Sequence, residues 1–441
     1  MVIGRARQGS SLPHYLRVVQ TLRDRNSLCV RARGDVRFCA MELRASTKRR
    51  VAKQQATGIH HVLWPDLSKA TLTRAHKAIW DATAERLAGG RPDLSAEALG
   101  GRRPLSVAAV ISGMGGLLGY WIQERQLNAD DEAKELFGDY LDHGRRSAYK
   151  METGLVAILR ECRERSVTPT VLKGAFTARK YFPEPGTRPS ADIDLLIRPE
   201  DLPETRESLT AAGFRQATQP AFGTEVWKPR DSPQEVVSVE MDHADNPWSI
   251  DVHTSIDRPY FRGHWSHFGR IIFANTERWI LRQQQALVFR QPLLLSHLAQ
   301  HASRDIVRFR IVRLVELVFV IRQDTHIDWD ECLRLLDQCG VTRFVYPAFA
   351  LAERLAPSTV EPGFLNAVSD AAPSSTRKAV RQLADDPLRS FFRRSPAERI
   401  MWTNGFQEKL LGWSDVVWPT GHSWSDQWRI VWRRLRMLAG R

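Results

Sequence analysis

One heptapeptide constrains this chain more than any other: Ala191-Asp192-Ile193-Asp194-Leu195-Leu196-Ile197, an apolar run broken by two acids two positions apart. Side chains alternate across an extended strand, so Asp192 and Asp194 share one face while Ile193, Leu195 and Ile197 occupy the other. An apolar strand carrying two carboxylates on one face must be covered on the opposite side and must meet positive charge on the acidic one. A divalent cation satisfies the second demand, because repulsion between the acids would otherwise raise their pKa values. A pair of acids on a solvent-facing strand edge is the plainer alternative.

The surrounding sequence favours the first reading. Thr168-Pro-Thr-Val-Leu-Lys-Gly174 predicts a short buried strand ending in a glycine turn, followed by a helix over Ala175 to Tyr181. Glycine allows close backbone approach, and the following helix start offers unpaired N–H groups to phosphate oxygens, with Lys173 as a point charge. Between the two motifs, Pro185-Gly-Thr-Arg-Pro-Ser190 is a turn-rich loop that brings Arg188 beside the acids. Its guanidinium suits a phosphate and a carboxylate equally. A third acid lies in Trp248-Ser-Ile-Asp-Val-His-Thr254, where Asp251 and His253 share a strand face. Three carboxylates are the complement of a two-ion phosphoryl-transfer site, with His253 as a supporting or purely structural group.

Leu-Lys-Gly, then Arg-Pro-Ser-Ala-Asp-Ile-Asp-Leu-Leu, then Ile-Asp-Val-His resembles the uncharacterised bacterial nucleotidyltransferase family of the DNA polymerase β-like superfamily. The resemblance is most specific over residues 168 to 257 and extends through the helical segment holding His297, His301 and Ile327-Asp-Trp329. It implies metal binding and catalysis by Asp192, Asp194 and Asp251, and nucleotide phosphate binding by Lys173, Gly174 and Arg188. It also implies Mg²⁺ or Mn²⁺ as a pair of ions, with a nucleoside triphosphate such as ATP as co-substrate. The acceptor is open: a small molecule, protein, peptide or tRNA. Two departures stand out. No serine follows Gly174, leaving Thr177 as the substitute hydroxyl, and Glu316 stands in Arg313-Leu-Val-Glu316 where an aspartate is expected. The missing serine motivates a second reading, a nucleotide- or RNA-binding module without turnover.

The predicted fold is α+β, an α/β core with a mixed sheet flanked by helical regions. The segments are a basic, disordered extension (1–57), a helical lead-in (58–165), the core (166–278), a helical domain packed on it (279–389) and a Trp/Arg-rich helical segment (390–441). Within the core, strands are expected at Ala191 to Ile197, Glu235 to Met241 and Ser249 to Ile256. A helix is expected near Pro203 to Ala212. Beyond Arg278 helices alone are expected, over Gln283 to Ser303, Val307 to Arg322 and Trp329 to Gln338.

Charge bears on partners only when its position is known. The formal charge is +14, but residues 1–53 hold thirteen Lys or Arg against Asp24, Asp35 and Glu42. The body is therefore nearly balanced, which argues against a broad nucleic-acid surface. The N-terminal arm reads either as a contact for nucleic acid or an acidic partner, or as a solvated extension. Tryptophans 424, 428 and 432 recur every four residues among arginines, a stripe that closes the protein's own core or docks on a membrane or partner, as in a scaffold. His297 and His301, four apart with Asp305 a turn on, could hold a metal but lack an accompanying base. Five cysteines without a CxxC pair predict reduced, mostly buried thiols. With no apolar run of membrane length and no leader pattern, the predicted location is cytoplasmic.

Overall fold

The computed structural model describes residues 48–51, 53, 60–217, 223–233, 235–304, 310–324, 327–385, 398–418, 428 and 431–432. The predicted disordered extension, apart from residues 48–51 and 53, and Asp305, Trp424, Cys29 and Cys39 fall outside them. Arg50–Arg441 form one compact unit.

The unit begins with α1 (Lys69–Leu87), capped by Ser68, whose hydroxyl accepts from Thr71 N. Two short helices follow, α2 (Arg102–Ser112) and α3 (Gly115–Gln123), flanked by a two-residue parallel pair, β1 (Asp93–Leu94) and β2 (Asn128–Ala129). Then comes α4 (Asp131–Glu164), 34 residues long. Its start is fixed by Asp130, whose carboxylate accepts from Ala133 N and Ser95 Oγ. Leu136, Phe137, Tyr140, Leu141, Met151, Leu155, Ile158, Leu159 and Cys162 bury one stripe of it. No helix among the described residues is long and apolar enough to cross a membrane.

Against α4 lies a seven-stranded mixed sheet. Its strands are β3 (Thr170–Val171), β4 (Asp192–Leu196), β5 (Phe214–Gln216), β6 (Thr224–Pro229), β7 (Ser249–His253), β10 (Thr276–Leu281) and β11 (Gln284–Phe289). The spatial order is β10-β11-β3-β4-β7-β6-β5. A small hairpin, β8 (Pro259–Phe261) with β9 (His264–Trp265), follows β7. Helix α5 (Ala175–Lys180) joins β3 to the loop before β4, and α6 (Leu202–Ala211) ends at Gly213, whose φ is +88°. The chain closes with α7 (Leu293–Arg304), α8 (Ile311–Gln323), α9 (Trp329–Gln338), α10 (Thr342–Leu355), α11 (Pro362–Ala371), α12 (Ser374–Asp385), α13 (Glu398–Met401) and α14 (Gly405–Val417). This is the predicted α+β class, with a mixed sheet and helices on both sides of it in sequence.

Two expectations fail. No strand forms over Glu235 to Met241. Its backbone is satisfied by side chains instead: Ser106 Oγ and Tyr140 Oη donate to Glu240 O, and Trp64 Nε1 donates to Val239 O. Asn246 completes the substitution, accepting from Val237 N and Ser238 N through Oδ1 and donating to Ser238 O through Nδ2. Nor is the region after Arg278 purely helical. Gln284–Phe289, expected to open a helix, is a strand paired antiparallel with β10 and parallel with β3. Glutamine and alanine favour helix locally, but pairing with a strand more than a hundred residues away decides the outcome. The hairpin turn is Arg282-Gln283, both at positive φ.

Other predicted features take structural roles. Asp328 of Ile327-Asp-Trp caps α9, accepting from Glu331 N, and Trp329 packs on Phe349 and Phe364. Cys162, Cys332 and Cys339 are free and buried. Burial pushes their thiols up, to about 11 for Cys162 and about 12 for the other two. Of the C-terminal tryptophans, Trp402 is in the core, while Trp428 is 47% and Trp432 60% exposed.

Candidate active site

Parallel pairing of β4 with β7 builds the site. The register sets Asp192 opposite Ser249 and Asp194 opposite Asp251, so residues far apart in sequence become side-by-side neighbours on one face. Behind them Ile193, Leu195, Ile250 and Val252 are almost wholly buried, which fixes the register because a one-residue slip would exchange acids for core.

Asp194 is held at both oxygens. Lys173, two residues past β3, pairs with Oδ2, and His253 Nε2 lies 2.9 Å from Oδ1. Burial alone would raise this carboxyl, but the Lys173 ammonium and His253 overcome it and hold the group well below the usual carboxylate range. Asp251 has no such cation. Burial, then the charges of Asp192 and Asp194, raise its carboxyl, opposed by a 3.0 Å bond from Ser249 Oγ and by the nearby His253. Asp192 is half-buried at the open end of β4, and Ser190 Oγ donates to its backbone oxygen at 2.8 Å. One ligand atom each from Asp194, Asp251 and His253 lie within 4.8 Å of one another, an arrangement able to hold a metal ion. Asp192 lies beside that trio rather than within it.

Arg188 forms a bidentate pair with Glu316, Nε to Oε1 at 2.7 Å and Nη2 to Oε2 at 2.9 Å, with both side chains nearly buried. Of the two roles open in the sequence, the carboxylate partner is the one the structure displays. Glu316, the departure from aspartate, thereby becomes the anchor of the loop, and it also receives the Thr177 hydroxyl. Thr177 is therefore engaged away from the acids. Glycines make this loop position possible: a Cβ on Gly144 of α4 would meet Gly186 O at 2.2 Å. At Gly174 the backbone turns with φ +62° and ψ −91°, a conformation that L side chains rarely adopt. A Cβ there would still have room, 3.5 Å from Arg188 Nη1 and 3.6 Å from Ser190 Oγ.

Next to the acids a cavity of about 990 Å³, its open mouth included, lies between α4, Gly174, the 185–191 loop and the 242–248 loop. Ala191 and Trp248 are in its wall, and the residues that follow them begin β4 and β7. The cavity thus abuts the acid-bearing ends of both strands.

Sequence reasoning missed Thr224, Arg258, Ser190 and Ser249. Thr224 pairs with His253 across β6 and β7, placing Oγ1 3.0 Å from His253 Nδ1. The alternation in Thr224-Glu-Val-Trp-Lys228 carried a strand signal for it. Arg258 Nη2 lies 3.2 Å from the same nitrogen, a contact that only the fold after β7 creates. His297 is buried with neither ring nitrogen bonded to a described group, and burial and then Lys173 push it down to about 3. His301 is lowered for the same reasons. Both are neutral packing groups beside the site.

A model of the uncharacterised nucleotidyltransferase family matches residues 108–357, more than half of the chain and the whole of the site just described. The chain belongs to this family. Membership makes it a transferase of phosphorus-containing groups, with a nucleoside triphosphate as the substrate the family implies. No curated protein and no solved structure matches the sequence.

Proposed function

We propose that this nucleotidyltransferase moves a nucleoside monophosphate from a nucleoside triphosphate to a hydroxyl or phosphate acceptor, using divalent ions held by Asp192, Asp194 and Asp251. The observation that carries this reading is the register that sets Asp194 beside Asp251, with Asp192 two residues earlier on the same face. The donor set fits such ions. Asp194 and Asp251 converge with Asp192 beside them, Lys173 contributes one compensating charge, and burial and then the charges of Asp192 and Asp194 raise the Asp251 carboxyl. Oxygen donors of this kind suit Mg²⁺ or Mn²⁺. The arrangement also supports kinship with the polymerase β-like superfamily.

When bound, the ions would polarise the α-phosphoryl group and ease deprotonation of the acceptor. The acceptor oxygen attacks phosphorus in line, the bond to the β-phosphate oxygen breaks, and pyrophosphate and the acceptor's proton leave. The protein's part is mainly positioning and charge complementarity. Lys173 and His253 keep Asp194 ionised and oriented, and Glu316 holds Arg188 with Nη1 toward the Gly174 turn. The adjoining cavity, bounded by Gly174, Arg188 and Trp248, opens beside the acids, where a nucleoside or acceptor would approach.

The Thr177 hydroxyl is bonded to Glu316, which favours binding without turnover as the second reading. Calorimetric titration with a non-hydrolysable triphosphate and Mg²⁺ tests the site. Binding that requires the metal and disappears in the Asp192→Asn, Asp194→Asn double variant supports it. A folded wild type that binds none of the four triphosphates, with Mn²⁺ as well, would sink it. Pyrophosphate release across an acceptor panel then separates transfer from binding alone.

A further inference from the structure

His253 stands among the groups close enough to hold a metal, yet its surroundings specify where its proton sits. One ring nitrogen, Nε2, is 2.9 Å from Asp194 Oδ1. The other, Nδ1, is 3.2 Å from Arg258 Nη2 and 3.0 Å from Thr224 Oγ1. A guanidinium offers donors only and stays protonated in proteins, so the nitrogen facing it must present a lone pair. A doubly protonated ring would set the Nδ1 N–H against the Arg258 N–H at 3.2 Å, leaving only the Thr224 hydroxyl, itself 3.5 Å from Arg258 Nη2, to accept. The neutral ring therefore carries its single proton on Nε2, and the Thr224 hydroxyl, free to rotate, donates to Nδ1 as well. Arg258 is well placed to impose this. Its own backbone is fixed to Ser266, its N–H donating to Ser266 Oγ at 2.8 Å and its carbonyl accepting from Ser266 N at 3.0 Å.

We infer that Arg258 is a positioning residue that locks His253 in the Nε2–H tautomer, so that His253 turns a proton, not a lone pair, toward the acids. It then orients Asp194 as a hydrogen-bond donor and is removed from the ligand set. What remains is oxygen alone, and the site selects hard cations such as Mg²⁺ and Mn²⁺ over Ni²⁺ or Zn²⁺, which favour imidazole. The selectivity rests on the nucleotidyl-transfer reading; the tautomer is a property of the metal-free protein.

Long-range ¹H–¹⁵N spectra of the full chain labelled at histidine nitrogens test both parts, with the His253→Gln variant identifying the signal. The expected result is a protonated Nε2 and an unprotonated Nδ1, unchanged when Mg²⁺ is added. Arg258→Met should release the lock, mixing the tautomers and raising Ni²⁺ affinity by about tenfold, the scale of outer-shell effects on metal sites. Arg258→Lys, which keeps a donor, should restore the wild-type pattern. A proton on Nδ1 in the wild type, or loss of the Nε2 proton on adding Mg²⁺, overturns the inference. So does an Arg258→Met spectrum identical to wild type. If the tautomer is as stated but no divalent ion binds, the positioning role stands and the metal-dependent function falls.

Discussion

Removing the Glu316 charge should reveal how much of the site's geometry depends on one buried ion pair. Arg188 is 10% exposed and Glu316 4%, and two short charge-assisted bonds join them. In Glu316→Gln the amide nitrogen must face a guanidinium donor, leaving a buried cation without its countercharge. Breaking one side of such a pair costs about 3–5 kcal/mol, a large part of the roughly 5–15 kcal/mol that stabilises a folded protein. Arg188→Met should cost a similar amount by orphaning the carboxylate. The Arg188→Met, Glu316→Leu double variant should recover most of it, because two desolvated charges leave together and similar volume is retained. Urea denaturation of the wild type, Arg188→Met, Glu316→Leu and their double variant gives the coupling energy, which should be several kcal/mol. Single variants within about 1 kcal/mol of wild type, with additive effects, would refute the claim that this pair anchors the loop.

Three further perturbations have defined outcomes. His297 is held neutral to about pH 3 in the folded chain, whereas its ordinary value is 6.5, so between those limits the unfolded state binds the extra proton. Stability should therefore fall with acidification, by roughly 1.4 kcal/mol per pH unit from this group, and His297→Gln should show a shallower slope in urea titrations between pH 7 and 4.5. Gly174→Ala meets no steric wall but forces a side chain to φ +62°, so it should cost about 1–2 kcal/mol and weaken triphosphate binding in calorimetry. An unchanged denaturation midpoint would show that the turn relaxes freely. Asn246→Ala deletes three bonds to Val237 and Ser238 and should cost about 1–3 kcal/mol in denaturation, with faster amide exchange at Val237 and Ser238. Unaltered exchange there would contradict the role given to Asn246.

The centre of the molecule was legible because local pattern and tertiary fate agree there. Helix α1, Lys69–Leu87, lies within the helical lead-in expected over 58–165, and β4 lies within Ala191 to Ile197. The failures have a common cause. Val236, Val237 and Val239 read as a strand, yet Ser106 and Tyr140 on helices, Trp64 in a bend and Asn246 take the hydrogen bonds that a neighbouring strand would have made. Gln283-Gln284-Gln285-Ala286 reads as helix, yet β3 has an open edge that only β11 fills. At the site, alternation put Asp192 with Asp194 and Asp251 with His253, but it could not give the β4–β7 register. Arg258 reaches His253 through a turn with no pattern of its own. Glu316, read as a departure, became intelligible once its partner Arg188 was in place.

The order of strands in space has a consequence for how the site comes into being. Central β3 is only two residues long, and its outer edge is covered by β11, more than a hundred residues later; Arg188 waits longer still, for Glu316. A chain emerging N-terminus first exposes all three acids before either support exists. The metal-binding face should therefore mature late, after Phe289 and then Glu316 have joined the fold. A fragment ending at residue 278, although it contains every carboxylate, would have the ligands without the frame that aligns them.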